Sequence, residues 1–505
     1  MDQPRAQDPY LLVPVESLEQ YLATADALVG LERAVDRGRS WVIDEITRAG
    51  LRGRGGGGFP TGRKWAGIAA QAEGTRYVVC NAAEGEPGTF KDRALLRANP
   101  YQLVEGVITA AFAVDAAEAF ICIKDRFGEE VERLERAIVE LGEAGVCHDC
   151  RITVVRGPDE YLFGEEKAML EVIEGNPPLP RVLPPYEHGL FASVPQAGWG
   201  AGAGAISSSE EQRSNPTLVN NVETLSNVPH ILTRGAEWFR TMGTEETPGH
   251  FVCTVVGDVA SPGVAEAEAG TPLRQIIDQV GGGPADGRTV KAVFSGVANP
   301  AVRGEELDTP LSYEAFNAIG SGIGSCGFIV FDDTACMVEV ARMFSRFLYV
   351  ESCGQCPPCK LGSGAITELL AKVEAGVAGD ADIETIGAWL GKVTDGNRCF
   401  LAVEERQVVA SVLRRFPEEF AEHLELQRCP RPRAVQLPKI VDLRDGVAVY
   451  DERQYLKQPD WTYLEAPPDA GGLDAFNAGY DSTGAAMDGA PRQAAPASWP
   501  RSTGG

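Results

Sequence analysis

The sequence predicts an α/β protein that continues into a helical bundle. In the first part, short β-branched runs alternate with helical stretches, the order expected of a layer of parallel strands covered by helices. From residue 334 to residue 426 the apolar residues recur only at helical spacing, as in a bundle of about four helices. We therefore divide the chain into an α/β domain over 1–235, a small β-grasp (ubiquitin-like) domain over 236–330, a helical bundle over 331–428 and an extended, largely disordered tail over 429–505.

The α/β domain opens with a helix that we expect over 31–49, because a glycine at residue 50 favours a helix end there. A segment rich in Gly, Ala and Ser at 192–215 has no hydrophobic period, and we interpret it as a surface insertion. The further strands are predicted at Tyr77–Cys80, Ala119–Ile123 and Ile152–Val155, and the helices between them at Asp92–Val114 and Glu129–Glu143.

The β-grasp domain is predicted from the order strand, Gly/Pro turn, helix, strand at Phe251–Val256, Leu273–Gly281 and Val290–Phe294. The tail is predicted from composition. It is rich in proline after Cys429, and after Pro467 it consists mainly of Gly, Ala, Pro, Ser and Asp, which bury too little apolar surface to fold.

Charge and hydropathy exclude several classes of partner. The 505 residues carry 46 basic and 72 acidic side chains, a net charge of −26, so we expect neither nucleic acid nor an anionic membrane surface as a ligand. The first twenty residues lack the pattern of a secretory signal, and the longest apolar stretch, 103–123, is interrupted by acidic residues. We expect a cytoplasmic protein that reaches a membrane only through partners.

Twelve cysteines in such a chain indicate metal or redox chemistry before disulfides. A C-x2-C-x2-C run followed by a distant fourth cysteine favours the four-thiolate ligation of a [4Fe–4S] cluster, whereas structural zinc more often uses two separated pairs. We interpret Cys336 and four other cysteines as core residues, and Cys429 has no assigned role. The predicted cluster ligands are Cys353, Cys356, Cys359 and Cys399.

Two loops are candidates for ligand binding. In LRGRGGGGFPTGRKW, four consecutive glycines, Gly55–Gly58, would let backbone approach a flat or phosphorylated ligand, with Arg54 and Lys64 supplying charge; a flexible turn explains the loop equally well. In NAAEGEPGTFKD, Glu84 and Glu86 follow a strand, where open α/β sheets bind ligands, although a helix-capping loop with solvated charge is the alternative.

With these loops, the segments YLFGEE, NNVETLSNVP and ESCGQCPPCK, followed by Cys399, occur in the order found in the NADH-binding flavoprotein subunit of respiratory complex I. The sequence resembles that family over about 31–424. The family includes diaphorase subunits of NAD-dependent hydrogenases and formate dehydrogenases. The resemblance implies a Rossmann-like domain for FMN and NADH, a β-grasp domain and a bundle with the [4Fe–4S] cluster.

The resemblance also implies ligand contacts and partners. The partners would be a thioredoxin-like [2Fe–2S] subunit and further iron–sulfur subunits of a redox complex. For FMN it implies Gly53, Arg54, Gly55, Gly56, Lys64, Asn81, Glu84, Gly164, Asn220, Asn221 and Thr224. For NAD(H) it implies Phe59, Lys64, Glu86, Tyr161, Glu166 and Tyr186, and Glu165 lies beside them at the same helix start.

The sequence departs from the family at positions that bear on flavin affinity and nicotinamide preference. Asp159 and Glu160 precede Tyr161 where small residues are usual, and Lys167 replaces a small polar residue. Ala83 stands where the family carries an aspartate in the flavin loop. Three hypotheses for the function follow. The chain is an NADH dehydrogenase subunit of an NADH-quinone oxidoreductase, a diaphorase subunit of a hydrogenase or formate dehydrogenase, or a non-catalytic relay subunit that has lost its flavin.

Overall fold

The computed structural model of the chain describes residues 9–72, 74–146, 150–193 and 213–464. Its strands are β1 Tyr77–Ala82, β2 Glu118–Lys124, β3 Arg151–Gly157, β4 Thr217–Asn221, β5 His250–Gly257, β6 Gly263–Glu268, β7 Val290–Ser295, β8 Val302–Arg303, β9 Gly327–Asp332, β10 Ile440–Arg444 and β11 Val447–Tyr450. Its helices are α1 Leu18–Leu22, α2 Val29–Arg37, α3 Arg39–Ala49, α4 Thr61–Ala69, α5 Lys91–Ala98, α6 Pro100–Val114, α7 Gly128–Glu143, α8 Glu166–Ile173, α9 Val222–Arg234, α10 Ala236–Arg240, α11 Leu273–Gly281, α12 Tyr313–Ala318, α13 Met337–Glu351, α14 Pro357–Glu374, α15 Asp380–Leu390, α16 Leu401–Arg415 and α17 Pro417–Leu426.

The first sheet is parallel throughout, with strand order β3-β2-β1-β4. Its central strands are almost entirely apolar and buried, as expected where helices cover both faces. Successive strands run outward from β1 to β3, but β4 lies on the opposite side of β1. The carboxyl ends of β1 and β4 therefore form a topological switch point, the edge at which open α/β sheets bind ligands. The α/β prediction is confirmed.

The second sheet is mixed, with strand order β6-β5-β9-β7-β8. Helix α11 packs on it through Leu273, Ile276 and Ile277, which are fully buried beside the sheet residues Val255 and Val293. This arrangement of a small sheet over one helix confirms the predicted β-grasp fold.

Helices α13 to α17 form the predicted bundle. The central helix α13 is buried along most of its length and packs against α14 and α16, with Phe344, Phe347 and Leu348 in the core. Within the described residues, no helix combines the length and apolar character that crossing a bilayer requires.

Residues 435–464, called the strap below, differ from the predicted disordered tail. They form the β10–β11 hairpin and return across the α/β domain, where the Gly88 N–H donates to the Pro438 carbonyl at 2.7 Å. The Lys457 Nζ pairs with Glu351 Oε2 at 2.8 Å, and both side chains are completely buried. Ion pairs to distant residues, together with Val435, Leu437, Ile440 and Leu443 packed into the core of the bundle, thus order this segment. The rest of the tail, 465–505, and most of the insertion predicted at 192–215 lie outside the described residues.

Candidate cofactor site

A cavity of about 870 Å³ opens at the carboxyl ends of β1 and β4. The β-grasp domain closes it from one side, and the start of α16 closes it from another. Nine of the predicted ligand-binding residues line it: Gly55, Gly56, Asn81, Glu84, Glu86, Tyr161, Gly164, Glu165 and Asn221.

The glycine loop forms one wall of this cavity and fits a ligand that approaches the backbone closely. Gly58 has a φ of +59°, and a β-carbon there would lie 2.5 Å from the Tyr313 ring. A β-carbon on Gly55 would lie 3.0 Å from Cβ of Asn221, whereas Gly57 faces open space. The Tyr313 hydroxyl donates to the Gly53 carbonyl at 2.8 Å, which fixes the loop from the β-grasp domain. Such a loop suits a flat, phosphorylated group such as FMN.

Side chains after β1 hold the neighbouring wall in place. The Asn81 Nδ2 donates to the Gly164 carbonyl at 2.7 Å and so joins the two predicted binding segments. Glu84 is buried, accepts from the Asp92 N–H at 3.0 Å and pairs with Arg93 at 2.9 Å. Glu84 therefore lines the cavity and also accepts a hydrogen bond from the first turn of α5. It has the features of both interpretations of this loop, ligand binding and helix capping.

Lys91 is a buried cation at this site that the sequence motifs do not predict. Lys91 Nζ lies 2.7 Å from Asp92 Oδ1, 3.0 Å from Glu223 Oε2 and 3.0 Å from Asn221 Oδ1. Burial opposes the charge of Lys91, but the carboxylates of Asp92 and Glu223 raise its pKa above the ordinary value, so it stays protonated. The available signal is the charged pair that ends the loop NAAEGEPGTFKD, which the sequence pattern predicts only as the start of a helix.

A second buried group joins one tyrosine hydroxyl to two glutamates at the cavity wall. The Tyr161 hydroxyl donates to Glu86 Oε2 at 2.5 Å and lies 3.1 Å from Glu404 Oε2. Glu86 Oε1 accepts from the Val297 N–H at 2.6 Å. Burial raises the pKa of Glu86 to about 7 and also raises that of Glu404. Glu404 lies on α16 outside any motif, so only the fold reveals it.

The start of α8 carries two predicted residues with different roles. Glu165 Oε2 accepts from the N–H groups of Lys167 and Ala168, which makes it the helix cap. Burial raises its pKa to about 7. Glu166 Oε2 pairs with Lys64 Nζ at 3.1 Å in a half-exposed position. This pair lies outside the residues that line the cavity.

The other predicted ligand residues do not line the cavity. Arg54 is buried, stacks on the Phe251 ring at 3.8 Å and donates to the Pro248 carbonyl, so its side chain joins two domains. Thr224 and Asn220 support the site from behind: the Thr224 hydroxyl accepts from the Arg54 N–H at 2.8 Å, and Asn220 Oδ1 accepts from Trp65 Nε1. Phe59 and Tyr186 are about half exposed.

The four predicted cluster ligands line one small cavity between α14 and the start of α16, namely Cys353, Cys356, Cys359 and Cys399. A single metal ion needs its ligand atoms close together. Among the described residues, the one group of three potential metal ligands whose atoms lie within 4.8 Å of one another does not include any of these four. Four cysteines around one shared cavity, three of them at C-x2-C-x2-C spacing, fit a cubane cluster.

Three thiols of this cavity are held in their neutral form by burial. Burial raises the pKa of Cys353 and Cys399 and raises that of Cys359 to about 11. These three thiols are therefore neutral near pH 7 without metal, and cluster iron would displace their protons.

The two cavities share a wall. Leu162 and Leu401 line both the large cavity and the cysteine cavity. Leu162 follows Tyr161, and Leu401 lies two residues after Cys399. One layer of apolar side chains therefore separates the predicted flavin site from the predicted cluster.

Three family models match successive parts of the chain. Residues 46–230 match the Nuo51 FMN-binding domain, 252–294 match the SLBB domain, and 339–423 match the NADH-ubiquinone oxidoreductase-F iron-sulfur binding region.

Similar proteins cover most of the chain. It is 36% identical to the second F subunit of NADH-quinone oxidoreductase from Rhizobium meliloti, over 77% of this chain and 90% of that protein. It is 32% identical to the NADP-reducing hydrogenase subunit HndC of Solidesulfovibrio fructosivorans over 82% of each. A solved NAD+-reducing [NiFe]-hydrogenase chain superposes with a TM-score of 0.70 at 32% identity and covers 85% of this chain and 69% of that one.

These matches confirm the family, the fold class and the cofactors FMN, NAD(H) and [4Fe–4S] that the motifs imply. The chain therefore belongs to the family of the F subunits of NADH-quinone oxidoreductase, the NADH dehydrogenase flavoproteins that pass electrons to a [4Fe–4S] cluster.

Proposed function

We propose that this chain oxidises NADH in the large cavity and passes the electrons singly through the shared wall to the cluster cysteines. The observation that carries the proposal is the position of Leu162 and Leu401 in both cavities. FMN, when bound, takes up a hydride from NADH and releases its electrons one at a time.

The chain's own residues bind and orient these groups. Gly55, Gly56 and Asn221 would hold FMN directly, while Arg54 and Thr224 fix the loop from behind. Lys91, whose charge is balanced by Asp92 and Glu223, fixes the Asn221 side chain at the cavity wall. Glu86 and Tyr161 form the part of the wall that we assign to NADH.

The direct test is an anaerobic absorption spectrum of the purified protein, with flavin measured after denaturation and with NADH then added. The proposal expects one flavin per chain and reduction of both chromophores by NADH. An intact cluster without flavin, even after FMN is supplied, would instead support the relay function.

We propose that the chain works in the cytoplasm within an NADH-quinone oxidoreductase, beside a thioredoxin-like [2Fe–2S] subunit and further iron–sulfur subunits. The similar F subunits of NADH-quinone oxidoreductases support this parent complex, and the similar HndC protein makes a hydrogenase the second candidate. Anaerobic co-purification decides between them. Hydrogenase subunits should co-purify with the chain only if the parent complex is a hydrogenase.

Glu166 is expected to set the preference for NADH. Its carboxylate repels the extra phosphate of NADPH and also occupies Lys64. Glu166→Gln removes the repulsion and frees the lysine, so kcat/KM for NADPH should rise relative to NADH by roughly tenfold. Glu135→Gln is the matched control, because it breaks an exposed pair between Glu135 on α7 and Arg156 on β3. An unchanged ratio in Glu166→Gln would remove this role.

Glu86 is expected to make NADH binding depend on pH. Because its pKa is raised to about 7, Glu86 is neutral at pH 6 and ionised at pH 8. The anion repels the phosphates of the dinucleotide, so KM for NADH should increase as pH rises through 7. Glu86→Gln should flatten this dependence between pH 6 and 8. A profile that keeps its slope in the variant contradicts the assignment.

Ala83 is expected to weaken FMN binding without abolishing it. It lines the cavity and is almost completely buried. An aspartate there would offer FMN an ionised acceptor worth about 1.5 to 3 kcal/mol, so Ala83→Asp should lower the Kd for FMN roughly ten- to a hundredfold. Ala298→Asp places the same charge on the opposite wall and should bring no gain. Weaker binding in Ala83→Asp would refute the expectation.

A further inference from the structure

Cys336, His423 and Cys429 lie together at a place that no cofactor of the proposed reaction occupies. Their ligand atoms all lie within 4.8 Å of one another, and within the described part of the chain they are the one such group of three potential metal ligands. The sequence treats Cys336 as a core residue and leaves Cys429 unassigned. Their separation by 93 positions hides the group until the fold is known.

The histidine is oriented for metal binding. Its Nδ1 lies 2.6 Å from the Glu419 carbonyl, so Nδ1 carries the proton and donates it to that oxygen. The lone pair of Nε2 then points toward Cys336 Sγ, 3.4 Å away. A carbonyl that fixes the tautomer in this way is the usual support of a histidine that ligates a metal.

We propose that Cys336, His423 and Cys429 bind one Zn²⁺. Two thiolates and an imidazole are the ligands that zinc prefers, and their close spacing suits a single ion rather than a cluster. Binding replaces the two thiol protons, while the imidazole binds in its neutral form. Cys429 is partly exposed, so water completes the tetrahedron.

This ion would be separate from the electron path. Cys336 caps the start of α13, and the cluster cysteines begin just after its end. Because the helix has 15 residues, the two metal centres lie about 22 Å apart along it, at 1.5 Å per residue. The zinc therefore takes no part in electron transfer.

The ion would tie three segments together: the start of α13, the last turn of α17 and the chain that leads into the strap. A second contact follows directly, since the Val435 N–H donates to Glu339 Oε1 at 2.7 Å. Zinc at this point anchors the strap to the bundle before the strap crosses to the α/β domain. The inference does not depend on the flavin chemistry.

The test uses the full chain purified anaerobically with its cluster intact, and measures zinc and iron together. We expect about one zinc per chain besides the cluster iron, with zinc lowered at least tenfold in Cys336→Ser and Cys429→Ser and iron unchanged. Cys253→Ser, another fully buried cysteine, is the matched control and should keep the zinc.

X-ray absorption spectroscopy at the zinc K edge of the unaltered protein makes the test independent of how well the variants fold. It should show two sulfur ligands at about 2.3 Å and a lighter shell that includes imidazole nitrogen. A chain that remains free of zinc after anaerobic addition of Zn²⁺, or zinc without sulfur ligands, overturns the proposal. So does zinc that persists in both cysteine variants.

Discussion

Replacing Cys356 by serine is expected to yield a chain without iron or acid-labile sulfide, against about four of each in the unaltered protein. The serine hydroxyl is a poor ligand for cluster iron, and no fifth thiol from the described residues lines the cavity to replace it. NADH should still reduce the flavin of this variant, but electron transfer to an external one-electron acceptor through the cluster should be abolished.

Cys253→Ser provides the matched control for this change. Cys253 is a fully buried cysteine on β5, away from the cysteine cavity, so its replacement tests the general effect of losing a buried thiol. Iron and sulfide should remain at the level of the unaltered protein. Equal iron in Cys356→Ser and Cys253→Ser, or zinc in place of iron in the unaltered protein at the cluster cysteines, would contradict the cluster.

The cluster could be predicted from sequence because its chemistry is local. Three of its proposed ligands lie within seven residues, and this cysteine spacing predicts the metal centre without knowledge of the fold. Cys336, His423 and Cys429 have no such spacing, so the same reasoning gives no prediction for them. The two groups differ in how far apart their residues lie along the sequence, and only the fold brings the second group together.

The fold class was predictable, but two predicted helices were too long. The helix expected over 31–49 is broken at Gly38, which adopts a φ of +84° between α2 and α3. The helix expected over 92–114 is broken before Pro100, where Asn99 caps α6 with its side chain. The helical spacing of the apolar residues continues through both breaks, because the helices on either side pack their apolar faces on the same core.

The strap was not predictable because its order comes from distant partners. Asp451 Oδ2 binds Arg126 Nη1 at 2.6 Å, and Lys457 pairs with Glu351, which lies more than a hundred residues earlier. The amino-acid composition of the strap does not indicate such pairs. The same limit applies to Glu404, which becomes part of the wall only when α16 meets Tyr161.

Replacing Lys91 by methionine is expected to be the most destabilising single change at the flavin site. Lys91 is buried, and its ammonium is the shared partner of Asp92 and Glu223. Removing one partner from a buried ion pair costs about 3–5 kcal/mol, because the remaining charges have lost their water and are no longer compensated. Asn221 also loses a contact at the wall of the cavity, so FMN retention should fall with stability.

The loss is measured as the shift in urea-induced unfolding followed by circular dichroism, together with the flavin content of the purified variant. Lys372→Met is the matched control, because Lys372 pairs with Asp382 at 3.7 Å on an exposed surface. Exposed pairs contribute about 0 to 1 kcal/mol, so the control should unfold almost as the unaltered protein does.

A double substitution separates the charge effect from the loss of packing. Adding Glu223→Gln to Lys91→Met removes one of the two uncompensated carboxylates, so the double variant should recover part of the stability lost in the single one. Loss of packing alone predicts no such recovery, because the second change only removes further contacts. A single variant as stable as the control, or a double variant less stable than the single one, would show that Lys91 does not stabilise the site through its charge.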